Sequence, residues 1–203
     1  MSELYKTIGQ KLIDNGFSVE YFENGEDAKR YLLSNISQSE QVGIGGSTSV
    51  KTIGIADALR ERGNDVVWHW PGYERPLREQ LDTDVYLLSA NAITKQGWIV
   101  NIDGVGNRVA ASIFPKGRVY FVVGANKLCD GGYEQAVAMI KRDTCPMNAK
   151  RRNASTPCAK GGKCSEEKCT VPECMCNIYV ALHHPPRGKQ MTVLLVNEHL
   201  GYK

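Results

Sequence analysis

Short apolar runs alternate with segments of helical periodicity along most of this chain. Helical patterns in SELYKTIGQKLIDNG and EDAKRYLLSNI alternate with apolar runs such as QVGIGG and DVVWHW. The later runs DVYLLSANAI, RVYFVVGA and MTVLLVNEHLG are almost continuously apolar, which is typical of strands in a sheet that is covered on both faces. The alternation therefore predicts a single α/β domain over residues 1–203.

Composition and charge narrow the range of partners. At 203 residues and 42% hydrophobic composition, the chain is long enough to bury one core. Its formal net charge is only +3, which is unlike the strong basic patch of a nucleic-acid-binding protein. The N-terminus lacks the apolar core of an export signal, and runs such as VYFVVGA are too short to cross a bilayer. We expect a cytoplasmic protein without nucleic-acid or membrane partners.

The segment VGIGGSTSVKTIG, which we call the glycine loop, lies between a predicted strand and a predicted helix. Glycine lets the backbone approach a ligand closely, and the hydroxyl residues can cap the helix or donate to a phosphate or carboxylate. The spacing is neither that of a P-loop nor that of a dinucleotide fingerprint. A tight turn with a serine cap is the alternative, and it needs no ligand. The candidate ligand-binding residues are Gly43, Gly45, Gly46, Ser47, Thr48 and Ser49.

A second polar segment, SANAITKQGWIVNIDGVGNRVA, follows the apolar run DVYLL. Ligands of α/β folds collect at the carboxyl ends of strands, so this segment is predicted to share a site for a small anionic metabolite with the glycine loop. A hairpin with an Asp-Gly turn and a capped helix is the alternative, and it explains Arg108 less well than Asp103 or Asn107. The candidates are Ser89, Asn91, Thr94, Asp103, Gly104, Gly106, Asn107 and Arg108.

Six of the seven cysteines lie between Cys145 and Cys176, where apolar periodicity is lost. Clustered thiols in a reducing cytosol indicate metal binding or catalysis, and thiolates select zinc or iron-sulfur clusters. We predict a metal-binding insertion over residues 145–176 that holds a [4Fe-4S] cluster, with zinc as the alternative metal. Unpaired thiols in a loop and disulfides are the competing interpretations. The predicted ligands are Cys158, Cys164, Cys169 and Cys176, with Cys145 or Cys174 as a replacement for one of them.

Several motifs in this order resemble the LUD-domain family of lactate-utilisation proteins. They are GIGGSTSVKTIG, SANAITKQGWIVNIDGVGNRVAASIF, VYFVVGANKL, TPCAKGGKC and VLLVNEHLGY. The resemblance implies the NagB/RpiA/CoA-transferase-like fold, which has three α/β/α layers and ligand loops at the strand ends. It also implies a role in the oxidation of L-lactate, or a similar 2-hydroxy acid, to pyruvate alongside iron-sulfur partner proteins. In the family pattern, the third cysteine follows the second more closely than Cys169 follows Cys164.

The wider superfamily leaves open whether this chain is an enzyme. Its sugar-phosphate isomerases carry Gly-Ala-Asp after the strand that corresponds to DVYLL, whereas this chain has Ser89-Ala90-Asn91. An amide cannot serve as a general acid or base, and the segment has no glutamate to act as the nucleophile of a CoA-transferase. Asn91 is therefore expected to bind rather than to catalyse. Two alternatives remain: a non-catalytic, metal-stabilised scaffold subunit of a lactate-oxidising complex, and a phosphosugar-binding enzyme with altered catalytic residues.

The remaining cysteine and histidines are expected to be structural. Cys129 ends an apolar run, where a small buried thiol is the common arrangement. His69 stands between two tryptophans in VWHW and is expected to pack at a strand end, while His183 precedes a rigid His-Pro-Pro turn. None of them is included among the predicted site residues.

Overall fold

The computed structural model describes residues 2–170 and 172–202, apart from the side chain of Glu166. Its helices are α1 (Glu3–Asp14), α2 (Gly25–Asn35), α3 (Thr48–Thr52), α4 (Ile55–Arg62), α5 (Asn107–Ile113), α6 (Tyr133–Met139), α7 (Cys145–Arg151) and α8 (Pro157–Gly161). Its strands are β1 (Ser18–Phe22), β2 (Val42–Ile44), β3 (Val66–Trp68), β4 (Val85–Leu88), β5 (Ala92–Ile93), β6 (Ile99–Asp103), β7 (Arg118–Gly124), β8 (Ile178–Leu182) and β9 (Met191–Val196).

A six-stranded sheet in the order β1-β9-β7-β4-β2-β3 forms the centre of the molecule. Its neighbouring strands all run parallel. Every residue of β4 is buried, as is every residue of β7 after Arg118. This burial explains the almost continuously apolar sequences of these strands, because helices cover both of their faces.

Two apolar clusters, one on each face of the central sheet, make the fold a three-layer α/β/α arrangement. Leu32 of α2 and Leu59 of α4 share one cluster with Val122 of β7. Ile8 of α1 shares the other cluster with Phe121, the neighbour of Val122 along the strand. Successive side chains of a strand point to opposite faces, so β7 supplies both layers of the core. The predicted fold class is confirmed.

A second, smaller sheet is antiparallel and has the strand order β5-β6-β8. Asp103, at the end of β6, pairs with Ile178, at the start of β8. The apolar run DVYLLSANAI is therefore divided between two sheets: β4 ends at Leu88 in the central sheet, and β5 begins at Ala92 in the small one. Between them, the backbone N–H of Asn91 donates to Asn101 Oδ1 at 2.9 Å, which fixes the chain as it leaves the central sheet.

Two helical regions differ from what the sequence pattern predicts. The helix predicted after the segment VGIGGSTSVKTIG is interrupted at Gly54, whose φ of 67° separates α3 from α4. The cysteine-rich segment, residues 145–176, begins as a helix. Helix α6 continues through a π-helical turn, Ile140–Thr144, into α7. Proline near the start of α7 and α8 is compatible with a first helical turn. Among the described residues, no helix has the length and apolar character needed to span a membrane.

Candidate functional site

A cavity of about 650 Å³ opens at the carboxyl ends of the central strands. Its lining includes residues that come shortly after the ends of four neighbouring strands: Gly46 after β2, His69 after β3, Ser89 after β4 and Lys127 after β7. Parallel α/β sheets bind their ligands at this edge. The cavity therefore lies where the fold provides a site.

The cavity brings together the two polar segments that the sequence indicated. The predicted ligand-binding residues that line it are Gly46, Ser47, Thr48, Ser89, Asn91, Asp103, Gly104, Asn107 and Arg108. Those that lie outside its lining are Gly43, Gly45, Ser49, Thr94 and Gly106. The two segments, which are distant in sequence, thus form one concave surface.

The glycine loop divides into a packed part and a part that faces the cavity. A Cβ atom on Gly43 would lie 2.5 Å from Thr83 Oγ1, and one on Gly45 would lie 2.8 Å from the Tyr86 hydroxyl. Close packing against neighbouring side chains therefore explains these two glycines. Ser47 caps α3, since its Oγ accepts from the Val50 N–H at 3.2 Å. The serine-cap interpretation is compatible with a ligand site here, because Ser47 also lines the cavity.

Asn91, Asp103 and Arg108 form one hydrogen-bonded network. Asn91 Oδ1 accepts from the Ile102 N–H at 2.9 Å and from Arg108 Nη2 at 3.1 Å. Arg108 Nη2 also donates to the Ile102 carbonyl at 2.8 Å, and Arg108 Nε lies 3.5 Å from Asp103 Oδ2. The Arg108 and Asp103 side chains are 11% and 12% exposed. These contacts fix the Arg108 charge at the edge of the cavity.

The turns of the second polar segment are stabilised from within. Asp103 accepts from the N–H groups of Gly104 at 2.7 Å and of Val109 at 3.3 Å, so it supports the beginning of α5. Gly106 precedes α5 with a φ of 97°, a conformation that favours glycine. Thr94 Oγ1 accepts from the Trp98 N–H at 3.1 Å and closes the turn between β5 and β6. Thr94 and Gly106 therefore have structural partners instead of cavity contacts.

Lys127 is a cavity residue that the sequence interpretation missed. It is 6% exposed, and its Nζ lies 2.7 Å from Ser49 Oγ and 2.8 Å from Ser89 Oγ. Burial, together with the nearby Arg108 charge, lowers the pKa of Lys127 to about 7. The available signal was its position: it is a charged residue just after the apolar run RVYFVVGA, at the ligand-binding edge of the sheet.

Cationic side chains predominate over carboxylates in the cavity lining. His69, which was expected to pack at a strand end, also lines the cavity, and its Nδ1 lies 2.9 Å from the side-chain amide of Gln80. Burial lowers the pKa of His69, and the charge of Arg152 lowers it further. Among the described residues, the lining cations besides Lys127 are Arg108, Lys141, Arg151 and Arg152, while the lining carboxylates are Asp103 and Glu173. Such an excess of positive charge attracts anions.

The cysteine-rich segment forms another wall of the same cavity. Cys145 Sγ and Cys176 Sγ lie 3.4 Å apart, and Cys158 Sγ lies 3.3 Å from the hydroxyl of the buried Thr156. Cys129 instead belongs to an apolar cluster and is 7% exposed, in agreement with its expected structural role. The cysteines that line the cavity are Cys145, Cys158, Cys164, Cys169, Cys174 and Cys176.

Comparisons with known proteins agree with this architecture. The sequence profile described as the LUD domain matches residues 6–196. The chain belongs to the LUD domain family. Among solved structures, this LUD domain is similar to a DUF162 family protein from Deinococcus radiodurans, with a TM-score of 0.56 and 16% identity over 97% of this chain and 99% of that one. That similarity shows a common fold. A search of curated proteins gave no significant match.

The thiols of this LUD domain suit a soft metal in their chemistry. Burial and the neighbouring Cys176 raise the pKa of Cys164, and burial together with a hydrogen bond to Cys174 raises that of Cys169 to about 11. The hydrogen bond to Cys145, followed by burial, raises the pKa of Cys176. A bound cation would favour the thiolate forms of such thiols.

The present arrangement of the thiols is not a complete metal cage. Within residues 2–170 and 172–202, no three Cys, His, Asp or Glu side chains lie close enough together to hold one metal ion. The Sγ atoms of Cys145 and Cys176 are separated by 3.4 Å, slightly less than the roughly 3.8 Å between two thiolates on a tetrahedral zinc with bonds of about 2.3 Å. The donor set therefore fits a thiolate-bound metal by its chemistry, and the other thiols would have to move closer to complete a site.

Proposed function

We propose that this LUD domain binds a small anionic metabolite in the cavity at the carboxyl ends of its central strands. The observation that carries the proposal is that one cavity is lined by the glycine loop, by an excess of cationic side chains and by the cysteine-rich segment. Its volume of about 650 Å³ is typical of small-molecule sites. Arg108, held by Asn91 and Asp103, provides a charge of fixed position for a carboxylate.

The metabolite we propose is L-lactate or a similar 2-hydroxy acid, and the reaction supported is its oxidation to pyruvate. The association of the LUD domain family with lactate utilisation supports this choice. The cationic lining supports it as well, because substrate and product are both carboxylates. Iron-sulfur proteins are the proposed partners. The cytoplasm is the proposed location, because its reducing conditions keep clustered thiols available for a metal.

We further propose that Cys158, Cys164, Cys169 and Cys176 hold a [4Fe-4S] cluster, with zinc as the alternative and Cys145 or Cys174 as a replacement ligand. When bound, a cluster would supply one-electron transfer, whereas zinc would only stabilise the segment. The presence of all these thiols on one wall of the cavity supports the proposal. So does the Cys176 N–H, which lies 3.5 Å from Cys174 Sγ in the kind of contact that tunes metal-bound sulfur.

A scaffold subunit without catalysis is the second candidate function. The observation that favours it is the network of Asn91, Asp103 and Arg108, whose polar atoms are largely used within the chain. A phosphosugar-binding enzyme is the third candidate. The cationic lining would suit a phosphate, but both bonds of Asn91 Oδ1 are internal and an amide cannot exchange a proton in catalysis.

The metal is tested on protein purified without oxygen. Iron and acid-labile sulfide in equal amounts, with a brown chromophore that dithionite bleaches, are the expected results. Cys164→Ser should reduce the metal content, whereas the matched control Cys129→Ser should not, because Cys129 lies in an apolar cluster. Zinc without sulfide would exclude electron transfer by this segment, and protein without any metal would contradict the proposed site. Cys145→Ser and Cys174→Ser then identify the replacement ligand.

The metabolite is tested separately by titration calorimetry with L-lactate, pyruvate and ribose 5-phosphate. We expect the two carboxylates to bind and Arg152→Ala, in the cavity lining, to weaken them by about tenfold. Arg142→Ala is the control, since Arg142 is exposed and pairs with Asp143 away from the cavity. Binding of the sugar phosphate alone would favour the third candidate. If none of the three compounds binds, the scaffold function is preferred.

A further inference from the structure

The surroundings of Lys127 Nζ offer hydrogen-bond acceptors for two amine hydrogens. Ser49 Oγ donates to the Leu200 carbonyl at 3.1 Å, and Ser89 Oγ donates to the Ala90 carbonyl at 3.2 Å. A hydroxyl has one hydrogen, so both serines must accept from Lys127 Nζ in their contacts of 2.7 and 2.8 Å. An uncharged amine has two hydrogens and one lone pair. The two serines take the two hydrogens, and the lone pair stays available.

The electrostatic surroundings also favour the uncharged amine. Lys127 is buried and forms no ion pair with any carboxylate of the described chain, while the charge that acts on it most is that of Arg108, which has the same sign. A buried ammonium without a counter-ion is strongly unfavourable. Burial accordingly lowers the pKa of Lys127 to about 7. Such a lysine is a nucleophile near neutral pH.

The cavity gives this amine access to a small molecule. Lys127 is part of the cavity lining together with Ser89, Asn91 and Arg108. The amine therefore shares the cavity with the charge that we propose for carboxylate binding, and that charge is near enough to lower the pKa of Lys127. A carbonyl group next to a carboxylate would place an electrophilic carbon and an anion on these two residues at the same time.

We propose that the Lys127 amine forms an imine with the carbonyl carbon of a 2-oxo acid bound in the cavity. The nitrogen lone pair adds to the carbonyl carbon, and the carbonyl electrons and one amine proton pass to the oxygen. Loss of that oxygen as water, with the second amine proton, leaves a carbon–nitrogen double bond. One water is released for each imine and neither an oxidant nor a reductant is consumed. The inference rests on the proposed anion site only for the carboxylate of the 2-oxo acid.

The test is reductive trapping with pyruvate and sodium cyanoborohydride at pH 7.5, followed by intact-mass analysis and peptide mapping. Cyanoborohydride delivers a hydride to the imine carbon and makes the bond permanent. We expect one reduced pyruvate per chain, attached to Lys127. Lys127→Met should lose this adduct. Lys95→Met should retain it, because Lys95 is exposed and pairs with Asp130 at 2.8 Å.

The outcomes separate the imine from the proposed anion site. Pyruvate that binds in calorimetry without reductant but gives no adduct at Lys127 overturns the imine and leaves the anion site standing. Labelling restricted to exposed lysines, equal in wild type and Lys127→Met, also overturns it. If pyruvate neither binds nor reacts, both proposals fail. The thermal unfolding of each variant is measured first, so that a loss of the adduct is not confused with a loss of the fold.

Discussion

Tyr5 and Tyr86 are both buried, but their hydroxyl groups have different surroundings. The Tyr5 hydroxyl donates to the Leu195 carbonyl at 2.6 Å, whereas the buried Tyr86 hydroxyl has no hydrogen-bond partner among the described residues. Tyr86→Phe should therefore leave the free energy of unfolding unchanged or raise it by about 1 kcal/mol, while Tyr5→Phe should lower it by about 1 kcal/mol. Urea denaturation of the two variants measures the difference. An equal loss in both would show that Tyr86 has a partner in solution.

The lowered pKa of Lys127 should make the free energy of unfolding depend on pH. Its pKa is about 7 in the folded chain and about 10.4 in an unfolded one. Between these values the unfolded state binds more protons, so the free energy of unfolding should rise with pH, by up to about 1.4 kcal/mol per pH unit. Below the folded value, both states are protonated and this contribution is constant.

Lys127→Met removes this dependence. The variant should be more stable than wild type at pH 7, and the difference should shrink as the pH approaches 10, because wild type then no longer has to lose a proton on folding. Urea denaturation across this pH range is the measurement. Lys95→Met, at an exposed ion pair, serves as the control and should show no such trend. A constant difference between Lys127→Met and wild type would mean that Lys127 keeps its charge when folded.

Among the elements, α8 depends on one hydroxyl at its start. Thr156 is 1% exposed, and its Oγ1 accepts from the Ala159 N–H at 3.4 Å and lies 3.3 Å from Cys158 Sγ. Thr156→Val keeps the shape but removes the cap, which should cost about 1 kcal/mol of local stability. We expect lower metal content after gel filtration for Thr156→Val and unchanged content for Thr156→Ser. Equal metal content in the two variants would separate α8 capping from metal binding.

Some helices and strands could be predicted from a local sequence pattern and others could not. The strands β4 and β7 were predictable because residues buried on both faces leave a recognisable apolar run. The division of the run that contains β4 and β5 could not be read from the run itself, because β5 pairs with β6 in a separate sheet. That sheet also requires β8, which lies far along the chain. The two-helix form of the region after the glycine loop depends on Gly54 adopting a positive φ, which a helical pattern does not reveal.

For the whole molecule, metal removal should have a confined effect. The central sheet is held by its own apolar clusters, while the proposed metal supplies folding free energy to the cysteine-rich segment. After chelation or cluster loss, amide hydrogens in residues 145–176 should exchange about tenfold faster or more, whereas those of β7 should not change. Hydrogen exchange with mass spectrometry provides the comparison. Faster exchange throughout β7 would show that the metal stabilises the entire domain.

The assembled site was predictable only in outline. Residues of the two polar segments line one cavity because loops that follow parallel strands lie at the same edge of the sheet. In the sequence, only its position after the apolar run RVYFVVGA distinguishes Lys127 from an ordinary surface lysine. Its burial depends on Ser49 and Ser89, which reach it from distant parts of the chain. The metal ligands and the metabolite stay predictions that the proposed experiments address.

Both ends of the cysteine-rich segment are anchored independently of its interior. At one end, α7 continues from α6, and the Arg151 guanidinium lies 4.8 Å from the centre of the Trp70 ring. At the other end, the Asn177 N–H donates to the Asp103 carbonyl at 2.9 Å as β8 begins. Closing a longer loop between fixed ends adds little entropic cost. An insertion between Cys164 and Cys169 would therefore lengthen a loop whose two ends stay in place. Homologous chains can then differ in cysteine spacing and still enclose the same cavity.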